Sequence, residues 1–309
     1  MTWTTSTLFS MATLLAANPF AGRWALQSDT ASGSRVFWLE VRDGAQTIGS
    51  FFGATGGRLA SIRDAQLING ELRFVVERRY DGTPPRVVRA FTRAWMNGPG
   101  LKGSTEIDDT LYRWTGWRSP EIPDRDDGSW KEGTPLGLLR SGLPALTTAV
   151  HGRLSEWQFN GVVLRNVTPR ANLLVTRDKF WNFKLHVEYK LPPKGNSGIG
   201  LRHHYELQLA DDHGEPPDVH GNVSLYSRIA PHVNASRPAN QWQKLDLRLV
   251  GRDLSVVLNG RNVIDRARIE GLCGLALDPW EERPGPIALQ GDHGPVEFRN
   301  VVVTPLVRR

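Results

Sequence analysis

The 309-residue sequence predicts an all-β chain, a small antiparallel β-barrel followed by an antiparallel sandwich of the jelly-roll type. Three observations carry this. The chain holds 31 Gly and 20 Pro against three Met and a single Cys, a balance that favours short strands and tight turns over helical bundles. Short runs of alternating apolar and polar residues recur between turn dipeptides, and no 10-residue segment shows helical periodicity. The length is about twice that of a usual domain, which sets two domains as the expectation.

In the first half the candidate strands are VFWLEV (36–41), TIGSFFGA (47–54), ELRFVVE (71–77), RVVRAFTRAWM (86–96) and LYRWTGWR (111–118). Asp43-Gly44, Asn69-Gly70, Asp81-Gly82 and Asn97-Gly98-Pro99 supply turns between them. The opening Phe20-Ala21-Gly22-Arg23-Trp24 resembles the F-x-G-x-W start of calycin-type barrels. Residues 18–120 are expected to form this barrel. The polar, turn-rich stretch 121–134 (EIPDRDDGSWKEGT) reads as a linker, and 135–309 as the sandwich. There FKLHVEYKL (183–191) alternates almost without fault, KLDLRLVG (244–251) and DLSVVLNG (253–260) flank the hairpin signal Gly251-Arg252-Asp253, and IALQ (287–290) and VEFRNVVV (296–303) close the chain.

Composition removes several function classes. One cysteine, Cys273, rules out an internal disulfide framework and any multi-thiolate zinc or iron–sulfur site, and reads as a small buried thiol. The net charge of +6 is spread over both halves, with no basic arm, so no nucleic-acid partner is expected. No stretch after the N-terminus approaches the roughly 20 apolar residues of a transmembrane segment. Residues 8–17 (LFSMATLLAA) form an apolar run of signal-peptide length, although no basic residue precedes Arg23. Export to the periplasm or medium is expected, the alternative being a leading strand or a mis-called start in a cytoplasmic protein.

One segment concentrates chemistry. In LRHHYELQL (201–209), read as a single strand, Arg202, His204, Glu206 and Gln208 line one face and Leu201, Tyr205, Leu207 and Leu209 the other. Successive members of such a row lie about 7 Å apart. A guanidinium, an imidazole, a carboxylate and an amide in a row can grip a polyol and move a proton. The preceding Asn196-Ser197-Gly198 leads into this strand.

The wider sequence raises the interest of that row. NSGIGLRHHYELQLAD, then GNVSLYSRIAPHVN, then the Leu-Asn-Gly hairpin and the final LQGDHGPVEFRN resemble the 3-keto-disaccharide hydrolase family, described as 3-keto-glucoside 1,2-lyase and 3-keto-2-hydroxy-glucal hydratase. The resemblance spans roughly residues 150–306. It departs at Gly291-Asp292, where a more compact Gln-Asp-His-Gly is the family's form. It implies a concanavalin A-like lectin/glucanase sandwich and a carbohydrate substrate. The implied reaction removes the C2 proton of a 3-ketosugar, expels the C1 aglycone and hydrates the product. On this resemblance Glu206 or His204 is the base, and His293 with Asp292 the second acid/base pair. Arg202 would face the enolate, Gln208 and Gln290 would bind hydroxyls, and Asn196 would stand beside the substrate.

Two groups of residues carry weaker signals. His213, His220 and His232 share a loop-rich stretch with Asp211, Asp212, Glu215 and Asp218, which could hold a divalent cation but lacks a compact ligand motif. Trp280, in DPWEERPGP, is the tryptophan placed best to stack on a sugar. A non-catalytic carbohydrate-binding module of the same fold competes with the enzyme reading, since fold does not fix function. A two-carboxylate glycosidase ranks last, because no second acid follows Glu206 within its strand.

Overall fold

A computed structural model describes residues 18–30, 33–42, 50–54, 59–62, 65–80, 84, 86–140, 145–149, 156–168, 170–273 and 275–308. The apolar run 8–17 and the Asp43-Gly44 and Asp81-Gly82 turns lie outside them. The described residues are all-β, without a helix, arranged as curled antiparallel sheets. Among them no helix is long and apolar enough to cross a membrane.

The first nine strands form one sheet. They are β1 (Gly22–Thr30), β2 (Gly33–Val41), β3 (Ser50–Ala54), β4 (Ala60–Ile62), β5 (Gln66–Ile68), β6 (Glu71–Tyr80), β7 (Arg86–Asn97), β8 (Gly100–Ile107) and β9 (Thr110–Arg118). Their order is β4-β3-β2-β1-β9-β8-β7-β6-β5. The sheet curls until β4 packs against β6, although no ladder joins its two ends among the described residues. Two-residue turns at Asn69-Gly70 and Asp108-Asp109, all at positive φ, set the β5–β6 and β8–β9 registers. Inside lie Trp24, Phe37, Leu39, Phe74, Leu101 and Trp114. The ring of Trp114 occupies the place a side chain at Gly103 would take. Phe20 and Trp24 seal one end: the Trp24 indole donates to the Phe20 carbonyl at 2.8 Å and the Arg118 guanidinium lies 3.8 Å over its ring.

The remaining strands form two facing sheets. They are β10 (Trp130–Glu132), β11 (Leu136–Gly137), β12 (Leu146–Thr148), β13 (Trp157–Phe159), β14 (Leu164–Asn166), β15 (Ala171–Thr176), β16 (Phe183–Lys190), β17 (Asn196–Leu201), β18 (Tyr205–Ala210), β19 (Gln243–Val250), β20 (Asp253–Leu258), β21 (Arg261–Arg268), β22 (Ala288–Gly291) and β23 (Glu297–Arg308). The larger sheet runs β13-β14-β23-β16-β19-β20-β21 with β10 and β11 also on β23, and the smaller β12-β15-β22-β17-β18. Leu185, Val187, Tyr189, Leu247 and Val256 of one meet Ile199, Leu207, Leu209 and Leu289 of the other in a single apolar core.

The stretch 121–134 is more than a spacer. Trp130–Glu132 pairs with the end of β23. Asp126 takes a two-pronged bond from Arg248 at 2.7 and 2.8 Å, and Asp124 accepts from the Trp181 indole at 2.7 Å and from Asn182 at 2.9 Å. A turn-rich composition hid this, because the contacts come from partners more than 50 residues away.

Candidate active site

The β17–β18 hairpin positions the site. Alternation along β18 sends Tyr205, Leu207 and Leu209 into the core and Glu206 and Gln208 to the opposite side. Across the ladder Glu206 faces Gly200 and Gln208 faces Gly198, so β18 supplies side chains above the bare backbone of β17. β22 flanks β17 on its other side and brings Gln290. A β-carbon at position 198 would stand 2.9 Å from Glu206 Oε1 and 3.1 Å from Gln290 Oε1. Carboxylate and amide thus converge over a glycine. The Gln290 Oε1 is buried and accepts no hydrogen bond among the described residues. Gln208 Nε2 donates to Asn196 Oδ1 at 3.1 Å, which ties two of the expected substrate-binding residues together.

Just beyond β22, Asp292 Oδ1 meets His293 Nδ1 at 2.7 Å, and both side chains are about half exposed. His293 lies close enough for its charge to act on Glu206, and Glu206 acts on it in return. Burial pushes Glu206 up to about 7; His293 pulls it the other way, and Asp292 adds to the rise. The Asp292 hydrogen bond raises His293 above the ordinary imidazole range. The site therefore pairs a buried carboxyl that titrates near neutrality with an imidazole held toward its charged form. Those are the properties of a proton-transfer pair.

The other members of the expected row lie elsewhere. LRHHYELQL is not one strand: Leu201 ends β17, Tyr205 begins β18, and residues 202–204 are the turn between them. Arg202 and His203 adopt positive φ there, near 53° and 54°, which breaks the period-2 alternation. Arg202 is fully buried, lies 4.1 Å over the Trp181 ring and 5.6 Å from that of Tyr205, and donates to the Gly251 carbonyl. Tyr205 points to the core, opposite Glu206, so the guanidinium stands on the wrong side of the sheet to face an enolate at Glu206. His204 Nε2 pairs with Asp278 Oδ1 at 3.0 Å, and its neighbour His203 is held down to about 3 by burial and by His204, hence neutral. Trp280 is not a free platform: its ring packs on Trp117 of β9 at 4.9 Å, with the Arg283 guanidinium 4.7 Å over it.

The acidic and histidine-rich loop spends its groups on itself. Asp212 accepts from Asn222, Asn234 and Ser236, His213 bonds the Ser236 carbonyl, and His220 bonds Asp218. Among the described residues no three His, Cys, Asp or Glu side chains gather as cation ligands. Asp211 accepts the Lys194 N–H, and Glu215 offers its carbonyl to Asn234. Cys273 packs against the core, and burial raises its thiol.

Residues 110–304 match the 3-keto-alpha-glucoside-1,2-lyase-like domain. The chain belongs to this family. The match to the 3-keto-alpha-glucoside-1,2-lyase-like domain takes in β9 and the stretch 121–134 as well as the sandwich, and it makes the chain a member of a carbohydrate-active family. No curated protein matches the sequence. Among solved structures, the chain is similar to a candidate glycosyl hydrolase from Parabacteroides distasonis ATCC 8503, with 24% identity, a TM-score of 0.47, and coverage of 56% of this chain and 89% of that one. A second candidate glycosyl hydrolase from that organism gives 21% identity and a TM-score of 0.45, covering 56% of this chain and 100% of the other. The carbohydrate binding module CBM66 from Bacillus subtilis gives 13% identity and a TM-score of 0.36, covering 51% and 93%.

Two features around the hairpin are not legible in the strand pattern alone. Gly198 and Gly200 form the floor of the site; their spacing opposite Glu206 and Gln208 is visible in NSGIG, once the hairpin is recognised. Asp278, the partner of His204, left no signal, because a loop acid 74 residues away has no fixed spacing.

Proposed function

We propose that this member of the 3-keto-alpha-glucoside-1,2-lyase-like family cleaves 3-keto-glycosides by elimination followed by hydration, with net hydrolysis. The observation that carries the reading is the convergence of Glu206 and Gln290 over Gly198 beside the Asp292–His293 pair. A ketone at C3 acidifies the C2–H bond, which in an unoxidised sugar is far too weakly acidic for a carboxylate. Glu206 takes the C2 proton. The electron pair moves into a C1–C2 double bond as the C1–O bond breaks, and His293, as imidazolium, protonates the departing oxygen. The products are the free aglycone alcohol and an enone. In the second half His293 takes a proton from water, whose oxygen adds to C1, and Glu206 returns a proton to C2. Both residues end in their starting forms. The Gln290 amide oxygen accepts from no donor among the described residues and is free to accept from a sugar hydroxyl, and Gln208 with Asn196 presents a second polar pair.

The test uses the full chain with a 3-keto-glucoside and its unoxidised parent. Aglycone release from the ketone alone is expected, with slower turnover of C2-deuterated substrate and deuterium at C2 of product formed in heavy water. Equal release from the unoxidised glucoside overturns the reading. So does ketone-dependent release that shows neither isotope signature.

A further inference from the structure

We propose that the outer face of the N-terminal sheet, on β7, β8, β9 and β1, binds an acidic glycan. Strand register aligns Trp95 with Lys102, Lys102 with Thr115, and Thr115 with Gln27, one row crossing four strands. At the usual strand spacing this row spans about 14 Å, the reach of a short oligosaccharide. Two residues along, Arg93, Ser104 and Arg113 form a parallel row. A groove of about 460 Å³ runs here, lined by Trp95, Lys102, Ser104, Leu111, Arg113 and Thr115.

Trp95 is 43% exposed and Leu111 48%, although the inner face of the same strands is already filled by Ala94, Leu101 and Trp114. The exposed indole is thus no displaced core residue. It is a flat apolar surface on rigid strands, ringed by hydroxyls and cations, which is how an aromatic side chain serves a pyranose ring. The chain covers another part of this same outer face itself: Ala25, Val36 and Trp38 of β1 and β2 pack on Leu272 and Ala276. The part left open carries Arg93, Lys102 and Arg113, whereas Arg23 on the covered part is paired with Glu40 and Glu270.

Charge decides the class of ligand. Among the described residues neither Lys102 nor Arg113 makes an ion pair, and Arg93 reaches only Glu71, at 3.9 Å, which Arg73 holds at 2.7 Å. Unneutralised cations beside a stacking platform suit a sugar chain bearing carboxylates. Glu71 lies opposite Trp95 and Glu106 opposite Leu111, so carboxylates border the rows. A nucleic acid, with a phosphate at every residue, meets that repulsion throughout; a glycan with spaced carboxylates can avoid it.

The experiment is affinity electrophoresis of the full chain in gels containing hyaluronan, unsulfated chondroitin or heparosan, each with a carboxylate on alternate sugars, with pullulan as the neutral control. Retardation in at least one acidic gel, weakening with added salt, is expected. Trp95→Ala is expected to weaken it about tenfold or more. Lys102→Ser/Arg113→Ser is expected to remove its salt dependence. Both variants should keep the thermal midpoint and the aglycone release of the parent. Lack of retardation in all three acidic gels overturns the proposal, as does equal retardation in pullulan. Unchanged binding by both variants also overturns it, and so does a single-stranded RNA oligonucleotide that binds more tightly than every acidic glycan. If Trp95→Ala fails to fold, the double variant decides.

Discussion

The two halves of the molecule bury polar groups in different ways. Inside the N-terminal sheet the buried polar side chains are neutral hydroxyls, two of which satisfy each other: Thr92 and Thr105 meet at 3.0 Å, and the Trp114 indole donates to Thr105 at 3.0 Å. In the sandwich, Arg202, His203, His204, Glu206, Arg252 and Glu281 are all buried, and all come from the β17–β18 hairpin, the β19–β20 turn and the segment before β22. Burying an ionisable group is costly unless it is paired or used. Glu281 is paired: it bonds Arg252 at 2.9 Å and the Tyr205 hydroxyl at 2.9 Å. Glu206 has no such cation beside it within the core. The difference separates a structural ionic network on the inner side of one hairpin from a chemical group on its outer side.

The sharpest way to break that separation is to remove one anion from each side. Glu281→Ala leaves Arg252 buried without its carboxylate partner and takes a compensating charge from Arg202. A loss of about 3–5 kcal/mol is expected, read as a lower urea midpoint. Glu206→Gln keeps shape and hydrogen bonding but removes basicity. It should lower kcat on a 3-keto-glucoside by at least about 10²-fold. Stability should move in the opposite direction to that of the Glu281 variant, and the sign follows from burial. The Glu206 carboxyl titrates near 4.5 in the unfolded chain and near 7 when folded, so the folded state favours its protonated form. Its cost to stability is absent below about pH 4.5, grows as pH rises through about 7 and is constant above. The wild type should therefore lose up to roughly 3 kcal/mol relative to Glu206→Gln across that window. A pH-independent difference between the two proteins would place Glu206 in solvent.

A smaller effect probes the floor. Gly198→Ala puts a methyl group 2.9 Å from Glu206 Oε1 and 3.1 Å from Gln290 Oε1, so both side chains must give way. Turnover should fall about tenfold or more through misplacement of the base, with little change in thermal midpoint. Unchanged kcat would mean that the reacting carbon does not approach over this glycine.

How much of this was legible in the sequence depends on the range of the interactions. The strands of β16, β19 and β20 could be read because alternation and a two-residue turn are local. Glu206 and Gln208 could be read for the same reason. Arg202 and His204 cannot be placed from the pattern, because a three-residue turn with Arg202 and His203 at positive φ looks, in an apolar–polar alternation, like more residues of strand. Trp280 reads as a sugar platform in the sequence because nothing local announces that Trp117, on the other sheet system, covers it. Strand β8, Gly100–Ile107, escaped notice because its inner positions include Gly103 and Thr105, small or polar residues made necessary by Trp114.

The smallest expected effect concerns the boundary between the halves. Among the described residues no sheet contains strands from both sides of residue 120, which supports the proposal that the two fold separately. The stretch 121–134, however, makes its Asp124, Asp126 and β10 contacts with the sandwich. A fragment of residues 119–309 should therefore fold and be more stable than one of residues 135–309. The shorter fragment loses the β10–β23 ladder and leaves Arg248 without Asp126, a half-buried pair of good geometry whose loss, with the ladder, is worth about 1–2 kcal/mol. For a fragment of this length that corresponds to a thermal midpoint lower by roughly 5 °C. Limited proteolysis of the full chain should accordingly cut just after β9 rather than within 124–132, where backbone and carboxylates are engaged. Equal midpoints for the two fragments would return 121–134 to the status of a passive linker. Failure of 119–309 to fold would show that the Trp38, Trp117 and Arg23 contacts with residues 270–280 join the halves into one cooperative unit.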